Sequence, residues 1–69
     1  MVAMPVIVYP PSPTGGRRVR IDGEILGIAY SDADLAEFLR RAGAEEPEEL
    51  IHSVLIEWRG GRRHQYDPA

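Results

Sequence analysis

Length, composition and charge place this chain among small globular domains. It has 69 residues, a formal net charge of −3, no cysteine, and eight basic residues that are all arginine. The length supports one domain over residues 1–69, near the lower limit for a chain that folds alone. The lack of cysteine excludes disulfides and thiolate metal sites, and the negative charge argues against a dedicated nucleic-acid binder. No apolar run approaches the roughly 18–20 residues that span a bilayer, so we expect a cytoplasmic protein without membrane contact.

The first predicted element is a short strand over residues 6–9, because valine, isoleucine and tyrosine favour extended backbone. Residues 10–16 follow as a loop, since they contain three prolines and two glycines, which cannot sustain a strand ladder.

A β-hairpin is predicted around Asp22 and Gly23, because this dipeptide favours the type I′ turn that connects two strands. The two-residue loop places Ile21 opposite Glu24 and continues the pairing outward. One face of the hairpin is then mainly apolar and is formed by Val19, Ile21, Leu26, Ile28 and Tyr30. The other face is polar or small and is formed by Arg18, Arg20, Ile25, Gly27 and Ala29. We expect the apolar face to lie in the core.

The next segment has the features of an amphipathic helix. Ser31 is a suitable N-cap residue, and Asp34 three residues later completes a capping-box arrangement. Gly43 ends the helix. The apolar residues between these ends recur at helical spacing and are Leu35, Phe38, Leu39 and Ala42. We expect this stripe to pack on the apolar face of the hairpin.

The remaining sequence predicts a short second helix and one or two further strands. Pro47 suits the first turn of a helix that extends to about His52. Residues 54–58 are an apolar run typical of a central strand, and residues 60–61 are two glycines that favour a second hairpin turn. The tail over residues 62–69 is then either loosely held or a short final strand.

Together these elements predict an α+β domain. A small antiparallel sheet of three to five strands packs on one amphipathic helix, and a short second helix follows it.

Two groups of arginines are the candidate binding features. The predicted binding surface consists of Arg17, Arg18, Arg20, Ile25, Trp58, Arg59, Arg62 and Arg63. Arginine beside exposed apolar residues is typical of protein interfaces, so we expect a non-catalytic adaptor or regulator that binds another protein or a second copy of itself as a homodimer. The alternative is single-stranded nucleic-acid binding, with Trp58 as a stacking platform. A third interpretation needs no partner, because edge arginines also discourage strand pairing and form surface ion pairs.

The sequence contains no pattern for catalysis, a cofactor or a metal. His52 and His64 are the only histidines, and their spacing matches no zinc motif. Ser53 and Asp67 supply the other residue types of a nucleophile triad, but a triad is defined by geometry. We therefore expect no enzymatic activity.

Three stretches of the chain resemble small proteins of actinobacteria, of the Streptomyces type, whose function is not established. They are residues 20–27, the helical residues 34–43, and residues 56–61, so the resemblance covers most of the chain after residue 16. It implies a bacterial cytosolic origin and no particular mechanism.

Overall fold

A computed structural model describes residues 5–68, which form a four-stranded sheet with one main helix and one short helix. In chain order the elements are β1 (Val6–Val8), β2 (Arg17–Ile21), β3 (Glu24–Ala29), α1 (Asp32–Arg41), α2 (Pro47–Leu50) and β4 (Ile56–Trp58). The strand order in the sheet is β3-β2-β1-β4. The predicted α+β class is confirmed. None of the helices in the described part of the chain has the length and apolar character needed to cross a membrane.

The sheet is mixed, whereas the sequence suggested only antiparallel pairing. β4 runs parallel to β1, with Val6 opposite Ile56. A parallel partner needs a long crossover connection, and here the hairpin and both helices supply it. β4 is also shorter than predicted and lies at an edge of the sheet. Val54 and Leu55 precede it and are 91% and 56% exposed.

The predicted hairpin forms, but its register changes after two residue pairs. Asp22 and Gly23 have φ angles of 50° and 83°, as a type I′ turn requires. Beyond the pair Arg20–Ile25, a bulge places Val19 opposite Gly27 rather than Leu26. A shift of one residue moves side chains to the opposite face.

The predicted faces of β3 are therefore wrong beyond the bulge. Ile28 and Tyr30 were expected in the core, yet they are 45% and 62% exposed, while Ala29 is fully buried. Gly27 faces the helix and Phe38 packs against it, since a Cβ atom at Gly27 would lie only 2.9 Å from Cζ of Phe38. After the bulge, the residue of β3 nearest the Phe38 ring is therefore one without a side chain.

Helix α1 begins and packs as its sequence predicts. The Ser31 hydroxyl accepts a hydrogen bond from the Asp34 amide at 3.2 Å, and the Asp34 carboxylate accepts one from the Tyr30 amide at 2.9 Å. Leu35 and Leu39 are buried against the sheet. The core as a whole is formed by Val6, Val8, Val19, Ile21, Ala29, Leu35, Ala36, Leu39, Ile51, Ile56 and Tyr66.

The tail after β4 is neither a strand nor loosely held over the described residues 62–68. The second hairpin suggested by the glycines at 60–61 does not form. Instead Tyr66 is 9% exposed and packs in the core, and its carbonyl accepts a hydrogen bond of 2.9 Å from the Gly16 amide. The tail is therefore an irregular segment anchored to the start of β2.

Candidate binding surface

The two faces of the sheet differ sharply in burial. Side chains alternate between faces along each strand, and α1 covers the face that carries Val8 and Val19. The uncovered side will be called the open face. Its residues are Ile7, Tyr9, Arg18, Arg20, Ile25, Ile28, Glu57 and Arg59.

The open face is arranged in rows that cross the sheet. In one row Ile7 lies between Glu57 of β4 and Arg20 of β2, and Arg20 is in turn paired with Ile25. In the next row Arg18 is directly opposite Ile28, and its carbonyl accepts a hydrogen bond of 2.9 Å from the amide of residue 9. Arg18 and Arg20 are thus each paired directly with an isoleucine of β3.

The apolar part of this surface lies on β3. Ile25 and Ile28 are 49% and 45% exposed. Tyr30 lies near Ile28, because both side chains approach Gly16. A Cβ atom built on Gly16 would be 2.6 Å from Cγ2 of Ile28 and 2.8 Å from Cε1 of Tyr30. These side chains form an exposed apolar strip along one edge of the sheet.

The polar part of the open face carries a positive charge. The Arg20 guanidinium donates to the Tyr9 hydroxyl at 3.1 Å, and that of Arg59 lies 5.6 Å from the centre of the same ring. Glu57 pairs with Arg59, and this hydrogen bond raises the pKa of the arginine above its ordinary value. Within residues 5–68, Arg18 and Arg20 form no ion pair. The single carboxylate of the open face is therefore already engaged, and two guanidinium groups remain uncompensated.

Arg17 does not belong to this surface, which corrects the sequence-based expectation. Its side chain is fully buried on the covered side of the sheet. All five N–H donors of its guanidinium are used in bonds of 2.8–2.9 Å to backbone carbonyls. The acceptors are the carbonyls of Tyr9, Arg59, Gly60, Arg62 and Gln65. Burial lowers the pKa of Arg17 from its ordinary value, but a guanidinium stays charged in proteins. Arg17 therefore fastens the irregular tail to the sheet.

Trp58 is likewise not on the open face. It follows Ile56 at the strand period and packs against the core, with the Arg17 guanidinium 5.1 Å from its ring centre. The rings of His64 and Tyr66 lie 4.9 Å and 6.2 Å away. The tryptophan and the open-face arginines are therefore on opposite sides of the sheet and do not form one stacking platform.

The last two predicted site residues, Arg62 and Arg63, lie in the tail. The Arg63 guanidinium donates to the carbonyl of Ser53 at 3.2 Å, which directs it towards the loop before β4. Of the eight predicted residues, the structure brings together Arg18, Arg20, Ile25 and Arg59. The open face also contains Ile7, Tyr9, Ile28 and Glu57. For residues 7 and 9, the alternation of side chains along a strand predicts this position once β1 is known to neighbour β2.

A hydrogen-bond network that the sequence does not indicate joins the tail to the start of α1. One carboxylate oxygen of Asp32 lies 2.8 Å from the Tyr66 hydroxyl, which donates to it, and 2.8 Å from Nδ1 of His64. Partial burial acts to raise the pKa of Asp32, but the hydrogen bonds from His64 and Tyr66 outweigh it and hold that pKa below its ordinary value. Burial, and then the bond to Asp32, raise the pKa of Tyr66 above its ordinary value.

Within residues 5–68, the residue types of a nucleophile triad that the sequence contains are not joined by hydrogen bonds. The Ser53 hydroxyl accepts a hydrogen bond of 3.0 Å from the Leu55 amide, and within residues 5–68 it is not hydrogen-bonded to His52 or Asp67. His52 lies against His64 with ring centres 4.9 Å apart. The described part of the chain contains no group of three side chains that is suited to hold a metal ion.

Comparison of the chain with protein-family models, with curated proteins and with solved structures finds no match.

Proposed function

We propose that this chain is a non-catalytic binding module whose open face contacts another protein. The observation that carries the proposal is the composition of that face, in which half-exposed Ile25 and Ile28 are the cross-strand partners of Arg20 and Arg18. Burial of such side chains in an interface removes apolar area from water, which is the main favourable contribution to association.

The charge of the open face selects an acidic partner. Arg18 and Arg20 have no ion-pair partner in the described residues, so carboxylates from another protein can bind them without displacing an existing pair. Arginine is enriched in protein interfaces and among their energetic hot spots, as tyrosine is. The strands hold the backbone of both residues in place, so binding has to order only their side chains.

Nucleic-acid binding is the second candidate, and one observation favours it. Arg18, Arg20 and Arg59 share a face with the ring of Tyr9, and arginines beside an aromatic ring bind phosphates and stack on bases. The separation of Trp58 from this face and the net charge of −3 oppose it. Binding through phosphates would also weaken steeply as salt rises, because condensed counterions are released.

The two candidates are separated by capture from an extract of cells that express the chain. The bait is the wild type or the variant Arg18→Glu/Ile28→Glu, which alters one directly opposite pair on the open face. The control is Arg41→Glu/Val54→Glu, which makes the same change in charge away from this face. We expect the wild type and the control to recover the same proteins other than the chain itself, and the open-face variant to lose those proteins, with or without nuclease treatment.

Two results would contradict the protein-binding proposal. Recovery of the same proteins by all three baits would show that the open face is not the binding surface. Loss of recovery after nuclease treatment would support the nucleic-acid candidate instead.

A further inference from the structure

A second surface lies in the helical layer, between the end of α1, helix α2 and the loop before β4. It is a groove of about 560 Å³ and will be called the acidic groove. Its lining residues are Gly43, Ala44, Glu45, Glu46, Glu49, Leu50, Ser53 and Leu55. The volume is within the range of about 300–1,000 Å³ that is usual for binding pockets.

The acidic groove has the opposite charge to the open face. Glu45, Glu46 and Glu49 line it, and none of them forms an ion pair within residues 5–68. On the open face it is Arg18 and Arg20 that lack such a partner. The described chain thus carries uncompensated carboxylates on one surface and uncompensated guanidinium groups on the other.

The exposed apolar side chains divide between the same two surfaces. The large hydrophobic residues that are exposed within residues 5–68 are Ile25, Ile28, Tyr30, Val54 and Leu55. The first three form the strip on β3 that borders the open face. Leu55 lines the acidic groove and Val54 precedes it in the chain. Each surface therefore combines an apolar patch with one sign of charge, and the signs are opposite.

The two surfaces cannot meet within one molecule. The acidic groove is lined by the connection between α1 and α2, by α2 and by the loop before β4. Helix α2 packs against α1, which packs on the covered side of the sheet, whereas the open face is on the other side. We infer that the acidic groove of one molecule receives the open face of a second copy, with Arg18 and Arg20 directed to the glutamates and Ile25 and Ile28 to the leucines.

This contact joins two different surfaces, so it is heterologous rather than two-fold symmetric. Each added copy leaves one free open face and one free acidic groove, and such contacts produce rings or open chains. The inference uses the same open face as the proposed function, so an acidic partner and a second copy compete for it. Removal of the groove charges distinguishes binding of a second copy from binding of an acidic partner, because it disrupts self-association and leaves the open face intact.

The test uses two variants that each remove charges from one surface. The open-face variant is Arg18→Gln/Arg20→Gln, and the groove variant is Glu45→Gln/Glu49→Gln. A control, Arg41→Gln/Arg62→Gln, removes two exposed arginines outside both surfaces. Thermal melts followed by circular dichroism check that all of them fold, and sedimentation velocity at low salt measures molar mass across protein concentrations.

We expect the mass of the wild type and the control to rise with concentration beyond that of a dimer, and to fall towards the monomer in 1 M salt, where the screening length is about 3 Å. Each surface variant alone should remain a monomer. An equimolar mixture of the two should form a one-to-one pair and stop there, because one intact groove and one intact face remain. A wild type that is monomeric throughout, variants that associate like the wild type, or a mixture that stays monomeric would each overturn the inference.

Discussion

The guanidinium carbon of Arg17 lies 5.1 Å from the centre of the Trp58 ring, in a site where no carboxylate of residues 5–68 pairs with the arginine. The buried charge is stabilised instead by five backbone carbonyls and by the face of the indole ring. Four of the carbonyls belong to residues 59–65, which form no strand and therefore no backbone ladder with the sheet. The hydrogen bonds from Arg17 therefore hold this segment in place of the backbone ladder that a final strand would have formed.

Replacement of Arg17 by methionine should be strongly destabilising. It leaves backbone carbonyls without their donors, and each buried acceptor that is left unsatisfied costs about 1–3 kcal/mol. Arg17→Lys keeps the charge but not the planar set of donors, so it should also destabilise the fold. Urea titration measures both. The control is Arg18→Met, an exposed neighbour on the same strand, which should change the free energy of unfolding by less than about 0.5 kcal/mol. Equal effects at the two positions would refute the role given to Arg17.

The network around Asp32 should make stability depend on pH in the acid range. The pKa of Asp32 is lower in the folded protein than its ordinary value, so its contribution is present above about pH 4 and is lost as the pH falls through the folded value. Wild type should therefore be more stable than Asp32→Asn at pH 7, and the difference should shrink below about pH 4. Denaturant titrations across this range provide the measurement, with Asp67→Asn as an exposed control. A difference that is constant with pH would contradict the assignment.

Tyr66 should give a complementary effect at alkaline pH. Its pKa is raised in the folded state, so its stabilising contribution is complete below the ordinary tyrosine value of about 10 and declines as the pH rises above that value. Stability of the wild type should fall more steeply above about pH 10 than that of Tyr66→Phe, which has no hydroxyl to ionise. Parallel pH profiles for the two proteins would show that the hydroxyl does not titrate differently on unfolding.

The contact between Gly27 and Phe38 can be separated from backbone strain. Gly27 and Gly43 both have positive φ, 150° and 107°, but only at Gly27 would a Cβ atom approach another side chain, at 2.9 Å from Cζ of Phe38. Gly27→Ala should therefore destabilise more than Gly43→Ala, by about 1–3 kcal/mol of overpacking. The double variant Gly27→Ala/Phe38→Leu should recover part of this loss. Equal destabilisation by the two single variants would exclude the contact as the cause.

The features that short-range rules predict are those set by neighbouring residues. The turn at Asp22 and Gly23 and the cap at Ser31 follow from local hydrogen bonding and backbone preference, and both are observed. The bulge near Leu26 is different, because it brings Gly27 to the Phe38 ring of the helix, a contact between residues of two different elements. No local pattern carries that information, so the faces of β3 were assigned wrongly beyond the bulge.

The same distinction applies to the candidate surface. Arg18 and Arg20 share a face because residues two apart in a strand point the same way. Arg17 is buried only because the chain 42 to 48 residues later supplies carbonyls to it. The sequence does not indicate that interaction, because nothing in the local pattern distinguishes Arg17 from the exposed Arg18 that follows it.

The central claim, that the open face binds a partner protein, is tested most directly by an NMR titration. The sample is the 15N-labelled groove variant Glu45→Gln/Glu49→Gln, in which self-association is disabled, and a protein recovered by capture is added. We expect the amide shifts to concentrate at Ile7, Arg18, Arg20, Ile25 and Ile28. Shifts confined to the two helices, with these amides unchanged, would contradict it.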